Sequence, residues 1–427
     1  MAADSRRRRV ALHTKILLGL VAGATAGVTA NIYAGESPAL LWIVDNVAQP
    51  VGQVFLRMLF MVVVPLVFAS LTMGVASLGD LRRIGRVGLK TILLFLCTTA
   101  LAVIVGLILV NLINPGEALD PAVRTQLLAE YSTQAGERIE AAKQDRFGIN
   151  TFVNIVPRNP VAAAASGDML GLIFFSLIFG IALTLIARDT AAPVLRLLDG
   201  INQAVIVIIG FAMRLAPLGV FGLIFSVTAK FGFDVLRSLG LYVVTVLAAL
   251  ALHQFGVIGL LAKLVVGISP GSFFSRSRAL MITAFSTSSS SATLPTTIRT
   301  AEENFGVPRE VAGFVLPLGA TMNMNGTALF EGVTVLFLAQ AFGVELSLVA
   351  QATVLVLVVL TAIGASGVPS GSIPLLVLIL ETVGVPGEGI ALVLGIDRIL
   401  DMARTVPNVM GDLTTSIVVD RWEKNGR

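Results

Sequence analysis

The chain has 427 residues, of which 56% are hydrophobic and only 13% are charged, and its mean hydropathy is +0.90. About a quarter of the residues in soluble globular proteins are charged, so the composition excludes that class and predicts a polytopic membrane protein. The net charge of +4 lies largely in residues 6–9 and a few short basic segments, which indicates a membrane-topology signal and not a nucleic-acid-binding surface.

Three apolar segments near the start of the chain are long enough to cross a bilayer, at about 16–34, 47–76 and 90–112. A span needs roughly 20 apolar residues. The second segment is longer than this and contains Pro65, so we expect it to be tilted or kinked near that residue. Basic residues before the first segment and after the second predict that the N-terminus and the loop at about 82–90 lie in the cytoplasm.

The middle of the chain contains one long polar stretch and three more apolar segments. Residues 116–150 mix acids and bases without a basic excess, which predicts a loop outside the cytoplasm. The apolar segments follow at about 169–187, 197–228 and 239–266, with a basic turn at Arg188 and Arg196 between the first two. With an even number of later crossings, both termini lie in the cytoplasm.

After residue 266 the apolar segments are interrupted instead of being separated by polar loops. FSTSSSSATLP, residues 285–295, interrupts an apolar stretch at about 273–298. GASGVPSGSIP, residues 364–374, separates apolar runs at about 348–363 and 375–382. Irregular backbone at membrane depth is tolerated only where it lines a cavity, so we predict two re-entrant helical hairpins. The alternative for the serine-rich run is a flexible cytoplasmic linker.

The segment GATMNMNGTALFEG, residues 319–332, lies between the two interruptions. The dipeptide 325–326, Asn-Gly, is a weak point at which we expect the helix to unwind. Carbonyl oxygens freed there would suit a desolvated cation. Asn323, Thr327 and Glu331 are spaced by four residues, which would place them on one helix face.

The last apolar segment, residues 395–419, carries a narrow polar stripe. At about 100° per residue its five polar residues span an arc of roughly 80°. These residues are Asp397, Asp401, Arg404, Asn408 and Asp412. In lipid such a stripe should face a cavity, where charged groups need partners. Arg404 then favours a substrate carboxylate and Asp401 an ammonium group, and the alternative is that these two residues only pair with each other.

Four motifs in this order resemble the glutamate transporter family, the dicarboxylate/amino acid:cation symporters, of the bacterial proton/sodium-glutamate symporter type. They are SSSSATLP at 288–295, NMNGTAL at 323–329, GASGVPSG at 364–371 and DMARTVPNVMGD at 401–412. The resemblance implies an all-α polytopic membrane protein with eight transmembrane helices and two re-entrant hairpins, built from inverted repeats. It also implies a homotrimer and an elevator mechanism, in which a transport domain crosses the bilayer past a fixed scaffold.

The domains implied by the resemblance are discontinuous in sequence. The scaffold would comprise residues 10–86 and 151–232, and an extracytoplasmic loop would comprise 116–150. The transport domain would comprise residues 87–115 and 233–420, including hairpins at about 272–300 and 346–383.

The resemblance further implies roles for individual residues. Asp401 would hold the substrate amino group, Arg404 the side-chain carboxylate and Asn408 the α-carboxylate. The other substrate contacts would be Ser288, Ser289, Ser290, Thr327, Thr405 and Val368. A dicarboxylate carrier should lack the ammonium partner and a neutral amino-acid carrier should lack the arginine, so both residues together favour glutamate or aspartate.

The chain departs from the family at the tip of the first hairpin, where Ser288 replaces a familiar arginine. Met402 occupies a position in the last helix that is often basic instead. Arg398 lies four residues before Met402 on the same helix face and is a candidate replacement.

The signals for the coupling ion conflict. One family sodium site is retained at Gly319, Asn323, Asn408 and Asp412. A second, at Thr98, Thr99 and Asn323, has Asn325 where the family has an aspartate and Phe95 where it has a tyrosine, so a hard cation would lose its charged ligand. Glu331 matches the glutamate that carries a proton in proton-coupled members, and the alternative is a permanently hydrogen-bonded Glu331.

These observations predict a symporter of the cytoplasmic (inner) membrane that imports L-glutamate and L-aspartate, driven at least partly by protons. Sodium-driven uptake through the Asp412 site is the alternative, and an anion-conducting channel or a solute receptor is the alternative of another class. Cys97 is single and His13 and His253 lack metal-site spacing. No nucleophile and base are suitably placed, so we expect neither an enzyme nor a cofactor, and no nucleic-acid partner.

Overall fold

The computed structural model describes residues 12–35, 37–77, 86–119, 156–166, 168–364 and 371–425. Every regular element in these ranges is helical, which confirms the all-helical prediction. Five helical stretches are long and apolar enough to cross a membrane: Thr14–Ala34, Pro38–Ala76, Val87–Ala118, Arg188–Phe231 and Asp234–Val266. The total of eight transmembrane helices stays a prediction.

Five helices form the first part of the described chain. They are α1 (Leu12–Ala34), α2 (Pro38–Ile43), α3 (Gln49–Phe60), α4 (Val63–Ser77) and α5 (Arg86–Ile113). A π-helical turn, Val44–Ala48, joins α2 to α3, so the second apolar stretch begins at Pro38 and not near residue 47. A turn at Met61 separates α3 from α4, because Pro65 has no N–H to donate to the Met61 carbonyl. The predicted kink is therefore confirmed.

Four helices form the middle of the chain: α6 (Pro160–Ser166), α7 (Met169–Leu185), α8 (Arg188–Phe231) and α9 (Asp234–Ala251), which continues through π-helical turns to Val266. The predicted turn at Arg188 and Arg196 is wrong for Arg196, which lies inside the 44-residue α8. Arginine is a good helix former, and Asp189 in the first turn suits the positive end of the helix dipole. The helix therefore starts directly after Ala187.

Eight helices complete the fold: α10 (Pro270–Arg276), α11 (Arg278–Thr287), α12 (Ser290–Arg299), α13 (Arg309–Met322), α14 (Asn325–Ala341), α15 (Leu348–Gly364), α16 (Ile373–Thr382) and α17 (Ala391–Asn425). The chain turns between α11 and α12 at Ser288, which has a left-handed φ of 51°. Ser289 then caps α12, because its Oγ accepts a hydrogen bond from the N–H of Ala292 at 3.1 Å. Both sides of the serine run are helical and pack together, which contradicts the flexible-linker alternative. A re-entrant course through the membrane stays a prediction.

The break between α13 and α14 lies at residues 323–324, so its predicted position at 325–326 is wrong by two residues. The reason is a side chain from α17. The Oδ1 of Asn408 accepts hydrogen bonds from the N–H groups of Gly326 at 2.7 Å and Thr327 at 3.2 Å. These bonds satisfy free donors in the first turn of α14 and keep it helical. Asn323 consequently lies at the break and not on the α14 face that holds Thr327 and Glu331.

The interior is organised around α14 and α17. Nearly all of α14 is buried, and α17 packs against α5, α8, α9, α11, α12, α13 and α14. The two cores of largest extent both include residues of α17, among them Leu400 in one and Met410 in the other. The polar stripe of α17 is therefore surrounded by protein.

The contact between α1 and α8 is the most extensive between any two described helices. Gly19, Gly23 and Gly27 recur every four residues along α1, and a Cβ on any of them would collide with α8 backbone at Pro217, Phe221 or Phe225. Small residues at this spacing allow two helix backbones to approach closely in a membrane. α1 is thereby fitted directly onto the backbone of α8.

Candidate binding site on the last helix

The polar stripe of α17 lies inside the protein, as its sequence predicts. Its five residues, Asp397, Asp401, Arg404, Asn408 and Asp412, each expose 4% of their surface or less. Groups of this kind are costly to bury without partners. Their contacts therefore define what the site can bind.

Arg404 is the centre of the charged part of the site. Its Nε and Nη2 donate to Oδ1 of Asp401 at 3.1 and 2.8 Å, and its Nη1 lies 3.1 Å from Oδ1 of Asp397. The Cζ atom lies 4.1 Å from the ring centroid of Phe330 in α14. The mutual pairing of Asp401 and Arg404 is thus present in the structure, and a ligand would have to share or displace it.

Arg398 is the second cation of the site. Its Nη1 donates to Oδ2 of Asp401 at 3.1 Å, so the two oxygens of this carboxylate contact two different guanidinium groups. Arg398 and Asp397 also line a cavity that α1, α3, α8 and α16 complete. The geometry places Arg398 beside the site, and its substitution for the missing hairpin arginine stays a prediction.

Asn408 connects three helices next to the charged group. Its Nδ2 donates to Oγ1 of Thr327 at 3.1 Å and lies 3.4 Å from the Sδ of Met324. The Oγ of Ser290 in α12 lies 4.0 Å from the same sulfur. The structure therefore brings Ser290, Thr327 and Asn408 together around Met324, between the hairpin serines and α17.

The remaining predicted substrate contacts differ in their surroundings. Ser288 is buried and its Oγ has no hydrogen-bond partner in the described residues, whereas Ser289 caps α12. The hydroxyl of Thr405 donates to the carbonyl of Asp401 at 2.7 Å, within α17. Val368 lies outside the described residues.

The first predicted sodium site is built around the carboxylate of Asp412. Asp412 is buried, and its Oδ1 accepts a hydrogen bond from Nδ2 of Asn323 at 2.9 Å. Gly319 faces the same carboxylate so closely that a Cβ would collide with it. A carboxylate oxygen is the kind of ligand that hard cations prefer. Binding of a transported sodium ion by this carboxylate together with the backbone carbonyls of Gly319, Asn323 and Asn408 stays a prediction.

The second predicted sodium site does not fit as well. The hydroxyl of Thr99 donates to Oδ1 of Asn325 at 2.7 Å, and that of Thr98 donates to the carbonyl of Leu94 at 2.8 Å and lies 3.5 Å from Oδ1 of Asn323. The Nδ2 of Asn325 is buried without a hydrogen-bond partner in the described residues. An amide therefore replaces the carboxylate that a cation would need for charge balance.

Glu331 is fully buried in α14. Its Oε2 lies 3.4 Å from Oγ1 of Thr361, and its Oε1 has no hydrogen-bond partner in the described residues. The alternative of a permanently hydrogen-bonded Glu331 is therefore supported only by this one long contact with Thr361. Burial of this kind disfavours the charged form of a carboxyl group.

Three residues at the site could not be predicted from the sequence: Met324, Phe330 and Thr361. Met324 lies between Asn323 and Asn325, and Phe330 precedes Glu331, but neither Met324 nor Phe330 has a sequence signal of its own. Their importance comes from contacts with Asn408 and Arg404, about 80 residues further along the chain. Thr361 similarly depends on Glu331.

Long apolar helices, a broken helix and a buried cluster of charges at the break are features of secondary transporters. The sequence matches the model of the family described as "Sodium:dicarboxylate symporter family" over residues 12–422. The protein belongs to this family.

Three relatives cover nearly the whole chain. The protein is 37% identical over 416 residues to the "Proton/sodium-glutamate symport protein" of Bacillus caldotenax, covering 97% of this chain and 95% of the relative. It is 34% identical over 416 residues to the "Proton/glutamate-aspartate symporter" of Escherichia coli (strain K12), covering 97% and 93%. It is also 34% identical over 422 residues to a "C4-dicarboxylate transport protein" of Anaeromyxobacter sp. (strain K), covering 98% and 91%.

Proposed function

We propose that the protein is a secondary active symporter that imports L-glutamate and L-aspartate across the cytoplasmic membrane, coupled at least partly to protons. The observation that carries this proposal is the buried pair of Asp401 and Arg404 beside Asn408. An acidic amino acid supplies a carboxylate for the guanidinium and an ammonium group for the carboxylate. The names of the glutamate and glutamate-aspartate relatives support this substrate class.

Substrate binding at this pair is an exchange of partners. Arg404 has five N–H donors, and Asp401 and Asp397 lie against three of its nitrogen atoms. An incoming carboxylate takes over part of this contact, and the substrate ammonium compensates Asp401. The exchange replaces one ion pair by two, and the second carboxylate of the substrate is left to hydrogen bonds from Asn408.

The proposal extends to the architecture. The scaffold comprises residues 10–86 and 151–232, the transport domain comprises 87–115 and 233–420, and three copies form a trimer with both termini in the cytoplasm. The close fit of α1 on α8, both in the proposed scaffold, supports this division. The transport domain crosses the bilayer by an elevator movement, with α15 and α16 as the arms of the outer hairpin.

Protons are the proposed driving ion because of two substitutions at buried positions. Glu331 provides a carboxyl group that can cross the membrane in its neutral form. Asn325 removes the charged ligand from the second sodium site. The residues retained at the Asp412 site support sodium as a second coupling ion, and the relatives' names include both ions.

The test is uptake of radiolabelled L-glutamate into proteoliposomes that contain the purified protein. An inward proton gradient is imposed without sodium, and a sodium gradient is then imposed at equal pH. Glu331→Gln is compared with Glu310→Gln, which makes the same exchange at an exposed position of α13. We expect accumulation driven by protons alone that is lost only in Glu331→Gln.

Accumulation that requires sodium and is unchanged in Glu331→Gln would contradict proton coupling and favour the Asp412 site. Substrate-independent current would favour a channel, and binding without accumulation would favour a receptor.

A second candidate substrate class is the C4-dicarboxylates. The observation that favours it is the contact between Arg398 and Asp401, because a cation from the protein can balance this carboxylate in place of an amino group. Excess unlabelled succinate and L-aspartate are compared as competitors of L-glutamate uptake. We expect L-aspartate to inhibit L-glutamate uptake and succinate not to inhibit it. Equal inhibition by the two compounds would favour C4-dicarboxylates as the substrate class.

A further inference from the structure

Glu331 and Thr361 form a buried contact between α14 and α15. Both side chains are completely buried, and Oγ1 of Thr361 lies 3.4 Å from Oε2 of Glu331. Thr361 is three residues from the end of α15 at Gly364. The contact therefore lies in the last turn of the helix that leads into residues 365–370.

The hydroxyl of Thr361 has more acceptors than it can serve. Besides Glu331, it lies 2.9 Å from the carbonyl of Leu357 and 3.1 Å from that of Val358. A hydroxyl group carries one proton and two lone pairs, and hydroxyl hydrogen bonds are most often about 2.7–2.8 Å long. The proton consequently favours the carbonyl of Leu357, and the oxygen keeps lone pairs that can accept.

The direction of this hydrogen bond depends on the proton of Glu331. A protonated carboxyl group can donate its O–H to Oγ1 of Thr361, which leaves the threonine proton on Leu357. An ionised carboxylate can only accept, so the threonine hydroxyl must turn towards it and release the carbonyl of Leu357. The two states of Glu331 therefore give the last turn of α15 two different sets of hydrogen bonds.

We propose that Thr361 is a positioning residue that links the protonation of Glu331 to the conformation of the α15 arm. The inference rests on the proposed proton coupling and adds the element that responds to the proton. No proton passes between Glu331 and Thr361, and only the hydroxyl of Thr361 reorients.

The charged groups that act on Glu331 come from α17. Arg404 exerts an electrostatic influence on Glu331, and it is itself paired with Asp397 and Asp401, the latter also held by Arg398. α9 contributes Tyr242, whose hydroxyl lies 2.7 Å from that of Thr334, one turn from Glu331. The charged residues of the other elements packed on α14 lie towards their ends: Arg86 and Lys90 in α5, Glu117 in the 3-10 turn Pro115–Ala118 that follows α5, Asp234 and Arg237 in α9, and Glu381 in α16. These groups are unchanged in the variants below.

The experiment measures proton-driven, sodium-free L-glutamate uptake into proteoliposomes over a range of external pH. Thr361→Val removes the hydroxyl and keeps the branched shape, and Thr361→Ser keeps the hydroxyl. Thr353→Val is the matched control, because Thr353 is in the same helix and its hydroxyl also donates to a carbonyl of that helix, Val349 at 3.0 Å. Thr361→Ala replaces Thr361→Val if the valine variant does not fold.

We expect the alkaline limb of the uptake profile to move to higher pH by about one unit in Thr361→Val, because the ionised carboxylate loses its donor. Thr361→Ser and Thr353→Val should keep the wild-type profile. Transport by Glu331→Gln is measured as exchange of labelled for unlabelled L-glutamate. Adding Thr361→Val to this variant should leave the pH profile of the exchange unchanged.

Two results distinguish failure of the proposed function from failure of the role proposed for Thr361. If the wild-type protein does not accumulate L-glutamate with a proton gradient, the proposed function fails. If it does accumulate L-glutamate but Thr361→Val keeps the wild-type pH profile, the role of Thr361 is overturned and proton coupling stands. The same conclusion follows if Thr361→Val shifts the pH profile equally in the wild-type protein and in Glu331→Gln.

Discussion

The guanidinium of Arg404 lies over the ring of Phe330 at 4.1 Å from the ring centroid, while its nitrogen atoms contact Asp397 and Asp401. A guanidinium group is planar, so its face can stack on an aromatic ring while its edges donate hydrogen bonds. Phe330 thus fixes the plane of Arg404, and the carboxylates fix its rotation in that plane. The orientation of Arg404 is thus already set before any ligand binds.

Replacing Phe330 by leucine should weaken binding of L-glutamate. A desolvated cation–π contact contributes about 2 kcal/mol, which corresponds to roughly 30-fold in Kd. Phe337→Leu is the control, because Phe337 is equally buried in α14 but stacks on Tyr242 at 4.4 Å. Isothermal titration of the purified protein measures both. Equal losses in the two variants would mean that Phe330 acts only through packing.

Arg404→Lys should raise the KM for L-glutamate by at least about tenfold, although the charge is kept. A lysine ammonium is compact and cannot contact Asp397 and Asp401 along two edges while stacking on a ring. Arg299→Lys, at an exposed position of α12, should leave uptake unchanged. An unaltered KM in Arg404→Lys would show that only the charge of this residue matters.

Gly319→Ala should abolish sodium-dependent effects on transport, because the added methyl group meets the carboxylate of Asp412. Gly313→Ala is matched in helix and chemistry, and nothing lies within 4 Å of its added Cβ. This control should be neutral or stabilising by up to about 1 kcal/mol, since alanine is the better helix former. Uptake with and without sodium gradients measures the effect, and normal sodium dependence in Gly319→Ala would disprove the site.

Asn325→Asp should make the thermal stability of the protein depend on sodium. The change restores a carboxylate beside Thr99, which is costly to bury alone and is compensated by a hard cation. In detergent, Tm should fall in choline chloride and recover in sodium chloride, by several degrees for a saturating ion. The Asp412 site can contribute a sodium-dependent shift to both proteins, so an equal shift in the wild-type protein would mean that Asn325→Asp adds no sodium binding beside Thr99.

The features that the sequence predicts well are local ones. The stripe of α17 depends only on the spacing of five polar residues along one helix, and the serine turn at Ser288 depends on a short interruption between apolar runs. The position of the break between α13 and α14 does not follow from the local sequence, because the cap that determines it comes from Asn408, 82 residues after Gly326. The stacking of Phe330 on Arg404 likewise arises from how two helices meet, and residue spacing within either helix carries no record of it.

The fit of α1 onto α8 also bears on how the protein is made. Asn31 and its hydrogen-bond partner, the carbonyl of Ala229, are 198 residues apart, which a ribosome needs roughly 10 to 40 s to synthesise. During that interval the glycine face of α1 has no α8 to cover it, and lipid or the insertion machinery must fill the groove. α1 is synthesised well before its neighbour α8, so the order of assembly differs from the order of synthesis.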